Sequence, residues 1–201
     1  MFLYGASGHS KVIIEIVKAI GERSIEGLYD DNPKYSEVLD IPIIHDSDIF
    51  GKQKEWVISI GNNIIRKKIA ERLEVTFVSL IHPRAVVSTS SKLGIGSVVM
   101  AGVVINANVE IGKHVIINTG SVIEHDCVIG DYVHISPNAA LAGNVTIKEG
   151  THIGINSCVI QGVTIGKWVT VGAGAVIVKD IPDYAVVVGN PGRVIKFNEF
   201  F

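Results

Sequence analysis

Two cysteines, Cys127 and Cys158, are all that the 201 residues contain. Both fall at or near positions expected to face a core. They read as small reduced core residues of a cytoplasmic protein rather than as a disulfide. Charge is also scarce, with Asp, Glu, Lys and Arg at 19% and a formal net charge of -2. No run of lysines or arginines occurs, which argues against nucleic acid as a partner. No apolar run approaches the roughly 20 residues of a transmembrane helix, so membrane insertion is not expected. The opening Met1-Phe2-Leu3-Tyr4-Gly5 lacks the basic region and cleavage site of a signal peptide. The 47% of hydrophobic residues suffices for a real core, in one domain or two small ones.

What the chain does have is a period. Every sixth residue from Ile81 to Ile177 is Ile, Leu or Val, seventeen in a row without a slip. Four residues after each stands a small or β-branched residue, such as Val103, Val109, Ser121, Cys127, Ala139 and Ala175. Helices repeat at 3.6 and strands at 2, so period 6 is neither. A fixed short repeat signals a solenoid, and hexapeptides signal a parallel β-helix. Each hexapeptide makes one short strand and one corner, and three make a coil of eighteen residues. Coils then stack at roughly 4.8 Å, so residues eighteen apart lie one above another. Seventeen repeats make between five and six coils.

The first 80 residues lack the hexapeptide pattern. Phe2-Leu3-Tyr4 runs into Gly5-Ala6-Ser7-Gly8-His9-Ser10, and Val12, Ile13, Ile16, Val17 and Ile20 then form a helical face. Strand, glycine-rich turn and helix in that order can hold a phosphate on the helix N-terminus. The third glycine of the dinucleotide fingerprint is missing, so a plain tight turn fits the same residues. Gly27-Leu28-Tyr29 ends in Asp30-Asp31, about the spacing at which an acid meets a ribose; a solvated acidic turn is the other reading. Trp56 to Ile60 reads as a buried parallel strand ending at Gly61. Ile64 to Leu73 reads as an amphipathic helix, and Val75 to Ile81 as a strand leading into the repeat. Beyond Ile177, Gly189-Asn190-Pro191-Gly192 makes a tight turn, and the apolar tail Phe197 to Phe201 is expected to pack on a neighbour or a coil.

Within the repeat, Glu124-His125-Asp126 serves no packing need. A histidine beside a carboxylate is the usual general base near pH 7. Eighteen residues after His125 comes Gly143, whose backbone N–H is a candidate oxyanion donor one coil above. Asn118, Ser136, Gly154 and Gly172 form one polar column; Gly120, Asn138, Asn156 and Gly174 form another. These columns suit a wall along an extended ligand, and equally suit stacked corners.

The repeat resembles the hexapeptide acyltransferases, whose β-helix is left-handed and which usually form trimers. The resemblance narrows over Tyr4 to His9, Ile60 to Lys68 and Asn118 to Ser136. These stretches look like the sialic-acid O-acetyltransferase-like family, and within it the nucleotide-sugar N-acetyltransferases of the bacillosamine type. That resemblance implies His125 as base and Asp126 as the acid that raises its basicity. It implies that His9 positions the sugar, and that Ser7, Gly8, Asp30, Asp31 and Gly61 hold the nucleotide. It implies that His134, Ile155 and Ala173 touch acetyl-CoA. Bacillosamine-type enzymes have Glu in place of Asp126 and Gly in place of Ala173.

The combined expectation is a small Rossmann-like α/β domain over 1–80 and a left-handed parallel β-helix with a C-terminal tail over 81–201. It acetylates the amine of a UDP-linked 4-amino-4,6-dideoxy sugar from acetyl-CoA, without a metal, as a cytoplasmic homotrimer. Acetylation of a sugar hydroxyl needs the same base and stays open. So does a zinc β-helix enzyme using His114, His134 or His152, of which His134 and His152 are eighteen apart.

Overall fold

The structure is a computed structural model that describes residues 1–45, 49–51 and 53–199. The chain opens with β1 (Phe2–Tyr4), α1 (Gly8–Ile20), β2 (Gly27–Tyr29), a small antiparallel hairpin of β3 (Glu37–Val38) and β4 (Ile41–Pro42), β5 (Glu55–Ile58), α2 (Asn63–Arg72) and β6 (Thr76–Phe77). β2, β1, β5 and β6 form one parallel sheet in that order. Strand order reverses at β1, so the crevice beside its carboxyl end is the place where such sheets take ligands. α1 buries Ile13, Ile14, Ile16 and Val17, which form one core with Leu80, Val98, Met100 and Ile116 of the solenoid. Val12, expected on that face, is 40% exposed. The strand expected over Val75 to Ile81 divides in two: Thr76–Phe77 belongs to the α/β sheet and Leu80–Ile81 starts the solenoid.

The rest is a parallel β-solenoid with three faces. The first face stacks Leu80–Ile81, Val98–Val99, Ile116–Ile117, His134–Ile135, His152–Ile153 and Thr170–Val171, each eighteen residues above the last. The second runs from Val86–Val87 to Val176–Ile177, and the third from Lys92–Leu93 to Thr164–Ile165. The inward aliphatic residues are buried from Val99 upward, whereas Ile81 is 40% exposed and Val87 and Leu93 are half-buried, since no coil lies beneath them. The small residues four places later are buried at the corners. Their hydroxyls are satisfied by the next coil: Thr151 Oγ1 donates to Gly166 O at 2.7 Å and accepts from Val169 N–H at 3.0 Å. Ser97 does the same with Gly112 and Val115. Cys127 Sγ sits 3.2 Å from Ala142 O in the same geometry, and burial raises its thiol pKa. Cys127 and Cys158 are both free.

The stack is about seven coils high, taller than the unbroken repeat suggests. Above Thr170–Val171 the chain returns after only sixteen residues, pairing Thr170 with Val186. Carboxylates bridge the shortened turn, with Asp180 Oδ1 accepting from Thr164 N–H and Asp183 Oδ1 from Lys167 N–H, both at 2.8 Å. Arg193–Phe197 then folds back antiparallel on Ala185–Val188 and closes the top. Asn198 ties the tail to Trp168 O and Thr170 Oγ1. Phe200 and Phe201, expected to pack, lie outside the described residues.

The helix expected over Ile64 to Leu73 forms as α2, and its buried face is partly polar. Ile64 and Ile65 are 37% and 47% exposed, and the buried side is Asn63, Arg66 and Ile69. The reason is a cage of carbonyls. Arg66, only 1% exposed, donates from Nε to His114 O (2.8 Å), from Nη1 to Ile60 O and Gly61 O, and from Nη2 to Tyr132 O and Asn63 Oδ1. No carboxylate pairs with it among the described residues, and burial lowers its pKa. Asn63 Nδ2 adds bonds to Gly150 O and Thr151 O. Next to the cage, the solenoid corner carries His114, Tyr132, Trp168 and Tyr184, all at positive φ. That region is uncommon for bulky residues. Gly150 leaves a gap in this aromatic ladder, and a Cβ there would stand 2.3–2.5 Å from the Trp168 indole. Lys67 lies over both Tyr132 and Trp168 while paired with Glu149.

Arg66→Met therefore keeps the aliphatic stem but strands several buried acceptors, each costing about 1–3 kcal/mol. We expect a loss of at least about 3 kcal/mol in urea unfolding, against almost none for exposed Lys68→Met. Equal stabilities of the two variants would refute the cage as the tie between α2 and the solenoid.

Candidate active site

His125 and Asp126 occupy the corner between the second and third faces. Asp126 has φ +61°, a left-handed conformation that Asp and Asn tolerate at stacked corners. Its backbone N–H donates to Ala107 O at 3.0 Å, and Asn144 N–H donates to His125 O at 2.9 Å, which fixes the corner from below and above. The His125 Nδ1 lies 2.8 Å from Asp126 Oδ2. That bond, with a further one from Asn108 Nδ2 to Oδ1 at 3.3 Å, lowers the Asp126 pKa. Gly143 lies directly over the imidazole: a Cβ there would stand 2.7 Å from Cε1 and 2.8 Å from Nε2. Only glycine leaves the ring in place; the side chain is 62% exposed, and among the described residues its Nε2 makes no hydrogen bond.

A second feature lies at the carboxyl end of β1. A cleft of about 500 Å³ is lined by Ser7, Gly8, Lys11, Asp30, Lys34 and Tyr35 among others. Gly5 makes the turn at φ +112°, where a Cβ would meet Ile60 at 2.6 Å. Asp30 accepts from Ala6 N–H (2.8 Å) and Asn32 N–H (2.9 Å), clamping the turn to the end of β2. The first-turn amides of α1 and two lysines give this cleft the chemistry for a diphosphate. Asp31 does not line it. Side chains alternate along an extended strand end, and Asp31 turns to the other side, accepting from Tyr4 Oη at 2.7 Å and pairing with Arg72. Tyr4 Oη and Arg72 also touch each other, and burial raises the Tyr4 pKa.

Between α1 and the first face sits a histidine group. The rings of His9 and His134 are 6.5 Å apart, and those of His134 and His152 are 4.8 Å apart. Thr119 N–H donates to Asn118 Oδ1, so Asn118 Nδ2 faces His134 Nε2 at 3.1 Å. His134 Nε2 therefore accepts, and its Nδ1–H is directed at Gly61 O, 3.4 Å away. His152 Nε2 meets Ser136 Oγ at 3.0 Å. Burial first, then His152, Arg66 and His9, push His134 down to about 3. Burial and Arg66 push His9 and His114 to about 4 and lower His152 as well. His134 and His152 pair in adjacent coils with their rings tilted, but no three His, Cys, Asp or Glu side chains converge as a metal site among the described residues.

Residues 1–73 match the family described as the PglD N-terminal domain, and 108–143 and 144–179 match the bacterial transferase hexapeptide family of six repeats. PerB from Caulobacter crescentus, solved with CoA and GDP-perosamine, superposes with a TM-score of 0.91 at 40% identity, over 97% of this chain and 96% of that one. The chain belongs to the PglD-type hexapeptide acetyltransferase family. The acetyltransferase domain of PglB from Neisseria gonorrhoeae, solved with acetyl coenzyme A, gives 0.89 at 39% identity over 96% and 98% of the two chains. The UDP-N-acetylbacillosamine N-acetyltransferase of Bacillus subtilis (strain 168) is 40% identical over 114 residues. That match covers 49% of this chain and about half, 50%, of the curated relative.

In this PglD-type chain the expected site residues fall into separate groups. His125, Asp126 and Gly143 stand together at one corner. Ile155 and Ala173 stand one above the other, exposed, at the corner after the first face. Ser7, Gly8 and Asp30 line the cleft, whereas Gly61 joins His9 and His134 near α2. The sequence reading missed Arg66, Lys11, Lys34 and Asn108. Asn108 stands eighteen residues before Asp126, so the spacing that found Gly143 points to it too.

The depressed histidines set an acid limit. His9, His114 and His134 titrate below the ordinary 6.5 in the folded chain. Between about pH 6.5 and 4 the unfolded chain binds more protons, so stability is intact above pH 6.5 and falls as the pH drops through this window. Each group adds a slope of up to about 1.4 kcal/mol per pH unit. Melting temperatures should drop steeply from pH 7 to 5, and His114→Gln should flatten the drop. A melting temperature constant over that range would contradict the buried neutral assignment.

Proposed function

We propose that this chain transfers the acetyl group of acetyl-CoA to the amino group of a nucleotide-linked sugar, a UDP-linked 4-amino-4,6-dideoxyhexose, with His125 as general base. The observation that carries the reading is the imidazole held by Asp126 at Nδ1 and open at Nε2 beneath Gly143. The amine attacks the thioester carbonyl and His125 Nε2 takes the proton it releases. Asp126 stabilises the resulting imidazolium, and Gly143 N–H donates to the oxyanion. Collapse of the tetrahedral adduct expels the CoA thiolate, which takes the proton back from His125. Relatives bearing CoA, acetyl coenzyme A and GDP-perosamine support the substrate classes, and the Bacillus subtilis relative supports an amino sugar on UDP. The α/β region, residues 1–80, holds the nucleotide in the Lys11–Lys34 cleft, and residues 81–201 carry the chemistry. The enzyme works in the cytoplasm, where acetyl-CoA and nucleotide sugars meet.

One chain separates the parts of this site. The α/β region covers the first face, while His125 lies at the opposite corner and Ile155 and Ala173 at a third position around the prism. The outward residues of the second face, Val86, Val104, Val122, Ala140, Cys158 and Val176, carry no charge and remain partly or fully exposed; the third face has Lys92 and Glu110 at such positions. An uncharged strip over six coils suits contact with another copy. A homotrimer joins one prism's base to its neighbour's nucleotide cleft, with acetyl-CoA between them. Light scattering should give a trimer, and a fully active monomer at assay concentration would rule this out.

The activity itself is tested by CoA release over a panel of UDP-, GDP- and dTDP-linked amino and hydroxy sugars. Turnover on hydroxy sugars alone would select O-acetylation. His125→Ala should lose about 10²–10⁴-fold in kcat with acetyl-CoA binding retained. Asp126→Asn should cost less and move the acidic limb of kcat/KM to lower pH, because the imidazolium loses its adjacent negative charge. Near wild-type turnover of His125→Ala from pH 6 to 9 would place the base elsewhere.

A further inference from the structure

We infer that Asn108 is a positioning residue for the base, acting through Asp126; the inference rests on the reading of His125 as that base. Positions 90, 108, 126, 144 and 162 form one column at the corner, occupied by Ser90, Asn108, Asp126, Asn144 and Gly162. Asp126 is the sole charged member. Its carboxylate is 53% exposed, so packing does not fix its rotamer, and two side-chain hydrogen bonds do. Oδ2 meets His125 Nδ1 at 2.8 Å, and Oδ1 accepts from Asn108 Nδ2 at 3.3 Å. A carboxylate only accepts, so the amide must present its NH₂ upward.

Asn108 is itself held. Its backbone N–H donates to Ser90 Oγ at 3.0 Å, one coil below. Its φ of +59° is shared by corner residues Asn138, Asn144 and Asn156. Conformation alone thus explains an asparagine at such a corner. What it does not explain is an amide aimed at the one carboxylate that touches the imidazole. With Oδ1 held from below, Asp126 cannot rotate to give both oxygens to water, and Oδ2 stays directed at Nδ1. The chain Ser90, Asn108, Asp126, His125 runs up the corner and ends under Gly143; coil stacking sets the first two links, and the last joins sequence neighbours.

Two substitutions tolerate the left-handed backbone and separate position from charge. Asn108→Gly removes the amide. It should lower kcat/KM by about 3- to 10-fold, leave KM for acetyl-CoA unchanged and shift the acidic limb to lower pH. Asn108→Asp keeps the size and adds a negative charge, and should shift the same limb to higher pH. In an Asp126→Asn background, Asn108→Gly should cause no further loss. The role is overturned if Asn108→Gly matches wild type in kcat/KM and pH profile in an enzyme that His125→Ala inactivates. It is equally overturned if the two losses multiply in full in the double variant. Full turnover by His125→Ala would instead remove the base reading, and this role with it.

Discussion

Coils of eighteen residues stack here with no change of register from Leu80 to Val171 along the first face. Main-chain bonds between neighbours hold that register, and the corner hydroxyls of Ser91, Ser97 and Thr151 reinforce it by bonding both the carbonyl and the amide of the next corner. Any side chain is therefore compelled to meet the ones eighteen before and after it. Gly143 over His125 and Asn108 under Asp126 are products of this constraint. A one-residue slip would bring Ala142 or Asn144 over the imidazole and turn every inward aliphatic residue outward at once.

The second organising contact is Arg66. It brings a cation into the seam between α2 and the solenoid and satisfies it with carbonyls from both sides. Six acceptors from three segments, residues 60–63, His114 and 132–133, hold it, so α2 cannot leave the solenoid corner without breaking the bonds to His114, Tyr132 and Val133. The same charge explains why the histidines nearby stay neutral: Arg66 appears among the forces lowering His9, His114, His134 and His152. A protonated imidazole in that seam would face a guanidinium that no carboxylate pairs among the described residues. The histidine group is thus a neutral hydrogen-bonding layer under α1.

The solenoid and the stacking at its corners were legible because both follow from arithmetic. A period of six gives the inward residues, and a spacing of eighteen gives Gly143 above His125. The shortened turn before Val186 hid one coil, since it breaks the period while keeping the stack. The buried face of α2 was not legible because hydrophobic patterning assumes that apolar residues go inward, and a carbonyl cage buries Asn63 and Arg66 while Ile64 and Ile65 face out. Asp30 and Asp31 look equivalent in sequence, yet one clamps the glycine turn and the other pairs with Tyr4 and Arg72. Only the third dimension separates them. The grouping of the remaining expected residues depends on which corner each occupies.

The Trp168 ring fills the gap that Gly150 leaves in the aromatic ladder. Neither residue is free to change first. A side chain at Gly150 collides with the indole, and a small residue at Trp168 opens a void beneath Lys67. Any lineage altering this corner must pass through a less stable intermediate or change both codons together. The pair behaves as a single inherited character, eighteen positions apart in the gene.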